Sequence, residues 1–144
     1  MDDISTLAPP LPRPTILTQP FWDGCQESRL RLQQCAKCER LRFYPAESCP
    51  YCGTLGGTWV DATGRGRVYS WIVVHKNPDL FWRTQVPYVS AIIELDDQPR
   101  LYMPGLITDS APDAIHAELP VEIWFDEVAL GHKLPRWRVA AIGR

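Results

Sequence analysis

Long apolar runs are missing from this chain. No stretch of about 18 apolar residues occurs anywhere in it, so no helix is expected to cross a membrane. The first residues, MDDISTLAPPLPRP, are acidic and proline-rich. They lack the basic-then-apolar order of a secretory signal, and the expected compartment is the cytoplasm. Strong charge of one sign is missing too, since the net charge is −2. Long nucleic acid usually needs a more basic surface. The small excess is uneven: residues 20–76 carry eight Lys/Arg against five Asp/Glu, and residues 77–144 carry six against ten. A small anionic ligand needs only a few well-placed cations, so the basic half keeps that option open.

The sequence marks of common catalytic sites are also absent. There is no HExxH, no GxSxG and no phosphate-cradling glycine loop, and GRG at 64–66 reads as a turn. His75 ends a strand-like run, His116 falls in a helix-like linker and His132 in a turn. All three read as solvated or satisfied side chains. Asp113, Glu118, Glu122, Asp126 and Glu127 read as a solvated face or a patch for a basic partner. No catalytic residue is expected, and no internal repeat is visible.

What the chain does have is cysteine in metal-type spacing. Cys35, Cys38, Cys49 and Cys52 form two Cys-x-x-Cys pairs with ten residues between them, in CAKCERLRFYPAESCPYCG. Each such turn sets two thiolates on one side of a tight loop, and two facing loops make a tetrahedral sulfur cage. Soft thiolates select zinc or iron: zinc is expected, with a rubredoxin-like iron centre as the alternative. Four cysteines fill the tetrahedron and leave no position for water, so the expected role is structural. Cys25 has no sixth cysteine to pair with and no local base to activate it, and it reads as a packing residue. Cysteines in this pattern favour a reducing compartment.

The remaining text divides the chain in three. Residues 1–19 hold four prolines and read as an extended arm. Residues 20–57 read as a short helix, PFWDGCQES, followed by a zinc ribbon. In RLRLQQC, Leu30 and Leu32 alternate with Arg29, Arg31 and Gln33, as in a half-buried strand, and Leu41 to Tyr44 returns antiparallel until Pro45 stops it. Residues 58–144 carry five strand-like runs: about Gly66–His75, Tyr88–Leu95, Arg100–Ile107, Val121–Val128 and Arg136–Ile142. Between the third and fourth, DSAPDAIHAELP reads as a helix capped by Asp109 or Ser110 and ended by Pro120. Five strands with one helix at that point is the order of an OB-fold, so the expected class is mostly β. The loop NPDLFWRTQVPY sets Leu80, Phe81 and Trp82 beside Arg83. Bulky apolar groups on a loop need a cover, either the protein's own core or a ligand or partner.

The order of arm, FW helix, four-cysteine ribbon and five-strand barrel resembles the acyl-CoA-associated zinc-ribbon/OB-fold family (domain of unknown function thirty-five). The resemblance covers roughly residues 20–142. It is carried by PFWDG with RLRLQQCAKC, then YPAESCPYCG, GRGRVYSWIVVH, PYVSAIIELDD and LPRWRVA. It implies Cys35, Cys38, Cys49 and Cys52 as zinc ligands and no catalytic residue. It also implies an accessory subunit that accompanies a thiolase-, aldolase- or enoyl-CoA hydratase-like enzyme in lipid, steroid or polyketide-type acyl-CoA metabolism, and that helps to seat the CoA. The chain departs from the family in having Glu39 and Gln98-Pro99 where glycine is usual, and Trp137 where phenylalanine is more usual.

Two functions follow as expectations. In the first, a non-catalytic subunit binds acyl-CoA, with Lys37, Arg40 and Arg42 of the ribbon facing Arg65, Arg67 or Lys76 across the barrel junction, and Phe81, Trp82 and Arg83 available to the ligand. In the second, the chain binds single-stranded nucleic acid, with Tyr69, Trp71 and Trp82 as stacking platforms. Net acidity weighs against the second.

Overall fold

A computed structural model describes residues 9–140. Most of the first half of the expected arm, and the last residues of the fifth expected barrel strand, lie outside them.

Thr15 and Thr18 lead into the first helix by exchanging bonds, each backbone N–H donating to the other's hydroxyl at 2.9 and 3.2 Å. The helix α1 spans Gln19–Gln26 with Pro20 in its opening turn, where no amide hydrogen is needed. Gly24 weakens a helix in principle, but a Cβ there would sit 2.9 Å from the Arg29 carbonyl and 3.1 Å from the Arg31 Cβ. The returning chain crosses too closely for any side chain. Phe21 and Cys25, on the same face, are buried.

Three short strands follow: β1 (Arg31–Gln34), β2 (Leu41–Arg42) and β3 (Thr58–Asp61). They form an antiparallel sheet in the order β2-β1-β3. Leu30 and Leu32 face inward, as the alternation requires. Gln33 does not face solvent as expected; it is buried because its Oε1 accepts from Arg42 Nε at 2.9 Å and from Ala46 N at 2.8 Å.

The barrel is built from β4 (Arg65–Val74), β5 (Tyr88–Leu95), β6 (Tyr102–Ile107), β7 (Pro120–Ala129) and β8 (His132–Val139). It closes in the order β4-β5-β6-β8-β7, antiparallel except where β6 meets β8 at Ile107 and Trp137. This is the five-stranded closed barrel of an OB-fold. The expected helix before the fourth barrel strand is reduced to one 3-10 turn, Pro112–Ala114. Both expected caps are engaged elsewhere: Asp109 Oδ1 accepts from Val139 N of β8 at 2.9 Å, and Ser110 Oγ donates to Ala111 O at 3.2 Å. Pro112 also holds Ala111 extended.

Ribbon and barrel share one core. Phe21, Cys25, Leu30 and Leu32 belong to the same buried cluster as Val68, Val89, Ile93, Met103, Val121 and Trp137. Two glutamines bridge the junction. Gln98 accepts from Leu41 N at 2.8 Å and donates to Leu41 O at 3.0 Å, and Gln26 does the same with Lys133 at 3.1 and 3.3 Å. Each carboxamide thus stands in for a strand neighbour. The Gln98-Pro99 departure therefore has a structural use: it ties the β5–β6 hairpin to β2. No helix among the described residues is long and apolar enough to cross a membrane.

Candidate functional site

The four paired cysteines converge at the tip of the ribbon, their sulfurs all within 4.8 Å of one another. Two knuckles related by local symmetry bring them there. Glu39 N donates to Cys35 O at 3.1 Å, and Gly53 N donates to Cys49 O at 2.9 Å. Amide hydrogens point at the sulfurs: Lys37 N and Cys38 N reach Cys35 Sγ, and Tyr51 N reaches Cys49 Sγ, each at 3.4 Å. Such bonds stabilise thiolates.

Hydrogen bonding from Thr54, whose hydroxyl lies 3.2 Å from Cys52 Sγ, holds the Cys52 thiol down to about 6. Backbone hydrogen bonds from Cys38 and Lys37 also lower Cys35. The Arg40 amide pulls Cys38 down, but burial and the neighbouring sulfurs together raise it to about 11. Cys35 and Cys52, and Cys38 and Cys49, are 3.6 Å apart. A tetrahedron with metal–sulfur bonds of about 2.3 Å has edges of about 3.8 Å, so the donor set fits a four-thiolate metal ion. The cluster is a metal-binding site.

The knuckles differ in one residue. Glu39 and Gly53 occupy equivalent places, and both adopt the left-handed conformation, with φ of 65° and 78°. An L side chain is strained there and glycine is not. Glu39→Gly is expected to stabilise the metal-loaded protein by roughly 0.5–1 kcal/mol and to slow metal loss to a chelator. Denaturant titration of both proteins, read on the ribbon, checks it; equal midpoints would contradict it.

Cys25 is fully buried, and burial pushes its thiol up to about 12, as suits a packing residue. Four of the five acidic side chains, all but Asp113, have partners among the described residues. Glu118 pairs with Arg67, Glu122 with Arg138 and Asp126 with Arg136, while Glu127 accepts from Gly131 N.

The candidate cations are not gathered into one cleft. Arg42 is buried inside the ribbon, where Gln33 Oε1, Ala46 O and Gly56 O accept its hydrogen bonds. It organises the knuckles and is turned away from any ligand. Arg67 is ringed by Glu94, Asp96 and Glu118. Arg65 opens the ten-residue β4, and Lys76 lies two residues beyond its far end. Lys37 and Arg40 remain exposed on the first knuckle. The Arg40 guanidinium lies 4.7 Å from the Tyr51 ring centre, and both border a groove of about 450 Å³ with Gln98 and Arg100. Arg100 carried no local signal in the sequence.

The β4–β5 loop forms a single helical turn, α2 (Leu80–Arg83), capped by Asp79, whose Oδ1 accepts from Phe81 N and Trp82 N at 2.9 and 3.1 Å. None of its residues is buried, so the loop does not plug the core. Phe81 and Trp82 instead line a cavity of about 250 Å³ over the barrel, together with Tyr88, Ile107, Asp126 and Arg136. Arg83 turns away and donates to Pro78 O at 3.1 Å. Arg136 was legible only as part of a strand.

Residues 22–56 match the family described as ChsH2, rubredoxin-like zinc ribbon domain, and residues 59–126 match ChsH2, C-terminal OB-fold domain. A relative from Thermomonospora curvata, "Probable enoyl-CoA hydratase alpha subunit", is 37% identical over 90% of this chain. This chain spans only 40% of that protein's length. A "DUF35 domain-containing scaffold protein" from Methanothermobacter thermautotrophicus is 32% identical over 72% of this chain and 76% of its own. Among solved structures, a chain of "Ltp2-ChsH2(DUF35) aldolase" superposes with a TM-score of 0.81 at 32% identity, over 90% of this chain and 99% of that one. With both halves matched in order, the chain belongs to the ChsH2-type family, in which a rubredoxin-like zinc ribbon precedes an OB-fold.

Proposed function

We propose that this chain is a non-catalytic accessory subunit of a hydratase- or aldolase-type enzyme that processes acyl-CoA in the cytoplasm, and that it contributes to binding the CoA thioester. The observation that carries this reading is the likeness, over nearly its whole length, to a ChsH2 chain whose structure's name joins it to an aldolase. The relative named as a hydratase subunit adds support. The metal centre agrees with a passive role. Cys35, Cys38, Cys49 and Cys52 would hold zinc, which supplies folding free energy and, with four thiolates, keeps no open position for a substrate.

Co-expression with a hydratase- or aldolase-type enzyme encoded beside it tests the reading. A stable complex is expected at equal stoichiometry, containing one colourless zinc per copy of this chain and binding acyl-CoA by calorimetry more tightly than either part. Failure to co-elute with any such enzyme, or turnover of acyl-CoA by the purified chain alone, would refute it.

A further inference from the structure

The cavity above the barrel mouth holds two features that are unusual in one small space. One is an aromatic wall. The Trp82 ring centre lies 5.2 Å from that of Phe81 and 5.1 Å from that of Tyr88. Asp79 fixes the turn that carries Trp82, and Asn77 Nδ2 donates to Tyr88 Oη at 2.9 Å. Trp82 is therefore held in place yet left half-exposed. The other feature is a charged pair. The Arg136 side chain is only 12% exposed, and its Nε lies 3.7 Å from Asp126 Oδ2. Its Nη1 donates to Pro135 O at 3.5 Å. Both contacts are long, and a guanidinium has five N–H donors to place. Burial draws the Arg136 pKa below its ordinary value while Asp126 opposes the shift.

Such a site discriminates by chemistry. A bare phosphate would meet the Asp126 carboxylate, and an acyl chain would leave the Arg136 donors unmatched. A neutral planar ring that offers an acceptor beside a donor satisfies both residues and stacks on the indole. Adenine has that edge, with N7 as acceptor and the N6 amine as donor, whereas guanine shows two acceptors there.

We propose that this cavity is an adenine-recognition site: the base stacks on Trp82, Arg136 donates to its N7 and Asp126 accepts from its amine. The proposal rests on the acyl-CoA reading above and deepens it, since the adenine is then that of the CoA nucleotide, with its phosphates outside the cavity.

The test titrates the full, metal-loaded chain with adenosine monophosphate, guanosine monophosphate and CoA, followed by calorimetry and tryptophan fluorescence. Adenosine monophosphate and CoA should compete for one site, with the guanine nucleotide bound about tenfold or more weakly. Trp82→Ala should weaken both adenine ligands by about tenfold or more, whereas Trp82→Phe, which keeps a stacking ring, should retain most of the affinity. Asp126→Asn should narrow the gap between adenine and guanine. Unchanged metal content and circular dichroism in each variant show that the fold is kept. If CoA binds equally well to the native chain and to Trp82→Ala, the cavity is not the site, although the acyl-CoA reading stands. Equal affinity for the two monophosphates also overturns the proposal. If no adenine nucleotide binds to the chain or to its complex with the enzyme, the proposal and the CoA part of that reading both fail, and co-elution alone decides the accessory role.

Discussion

Cys49→Ser should empty the metal centre and melt the outer ribbon while the barrel stays folded. Cys49 is the right ligand to change because it is buried and paired at 3.6 Å with Cys38, so its loss removes a donor and leaves an underpacked polar group. The outer ribbon has little else to hold it. Apart from the cysteines, its fully buried side chains are Pro45 and the polar Gln33 and Arg42, whose hydrogen bonds depend on the knuckles' geometry, while Leu41 and Phe43 are only partly buried against the shared core. Structural four-ligand sites supply roughly 10 kcal/mol or more of apparent binding free energy, far above what those hydrogen bonds contribute.

The inner part of the module behaves differently. Phe21, Cys25, Leu30 and Leu32 are buried in the barrel's own core, so α1 and the start of β1 should survive. Hydrogen exchange with metal analysis separates the two zones. Expected are metal content near zero and lost amide protection from about residue 33 to 57, with protection kept in β4 to β8. A variant that retains one metal per chain, or that unfolds throughout in one transition, would contradict this division.

The parts of the molecule that were legible in the sequence are those where a local pattern has one physical solution. The apolar run Tyr88–Leu95 reads as a strand, the strand has those bounds, and its burial alternates along it. Two Cys-x-x-Cys turns have few uses beyond a thiolate cage, and their sulfurs do converge. What was not legible depends on a partner distant in sequence. Thr58–Asp61 falls within the segment read as barrel, yet it pairs with β1, where Leu32 and Gln33, about 27 residues earlier, stand opposite Val60 and Trp59. Arg42 looks like any surface cation until Ala46 O and Gly56 O close around it. Asp109 has the chemistry of a helix cap, but the amide of Val139 takes its carboxylate. Arg136 shows the same limit at the candidate site, because only barrel closure sets it beside the aromatic loop.

Trp137→Ala should be the most damaging single change in the barrel, costing about 3–5 kcal/mol, a large part of the 5–15 kcal/mol that ordinarily holds a domain together. Its side chain is fully buried, and its backbone stands opposite Ile107 of β6 and Ile123 of β7, at the seam where the barrel closes. The indole presses on Gly105 of β6: a Cβ there would collide with Trp137 Cδ1 and lie 2.6 Å from its Nε1. That Nε1 is buried without a hydrogen-bond partner. The indole thus gains from its contacts and loses by its unmatched donor. Trp137→Phe removes the donor while keeping a ring, so its cost should be small, within about 1 kcal/mol. Gly105→Ala alone should destabilise by about 2 kcal/mol through overpacking. In the Trp137→Phe background the smaller ring leaves room for the added methyl, so the same change should cost far less. A double-mutant cycle by denaturant unfolding measures this coupling, expected at about 1 kcal/mol or more. Strict additivity would mean that Gly105 is not set by the indole, and a Trp137→Phe cost as large as that of Trp137→Ala would mean that the unmatched donor carries no penalty.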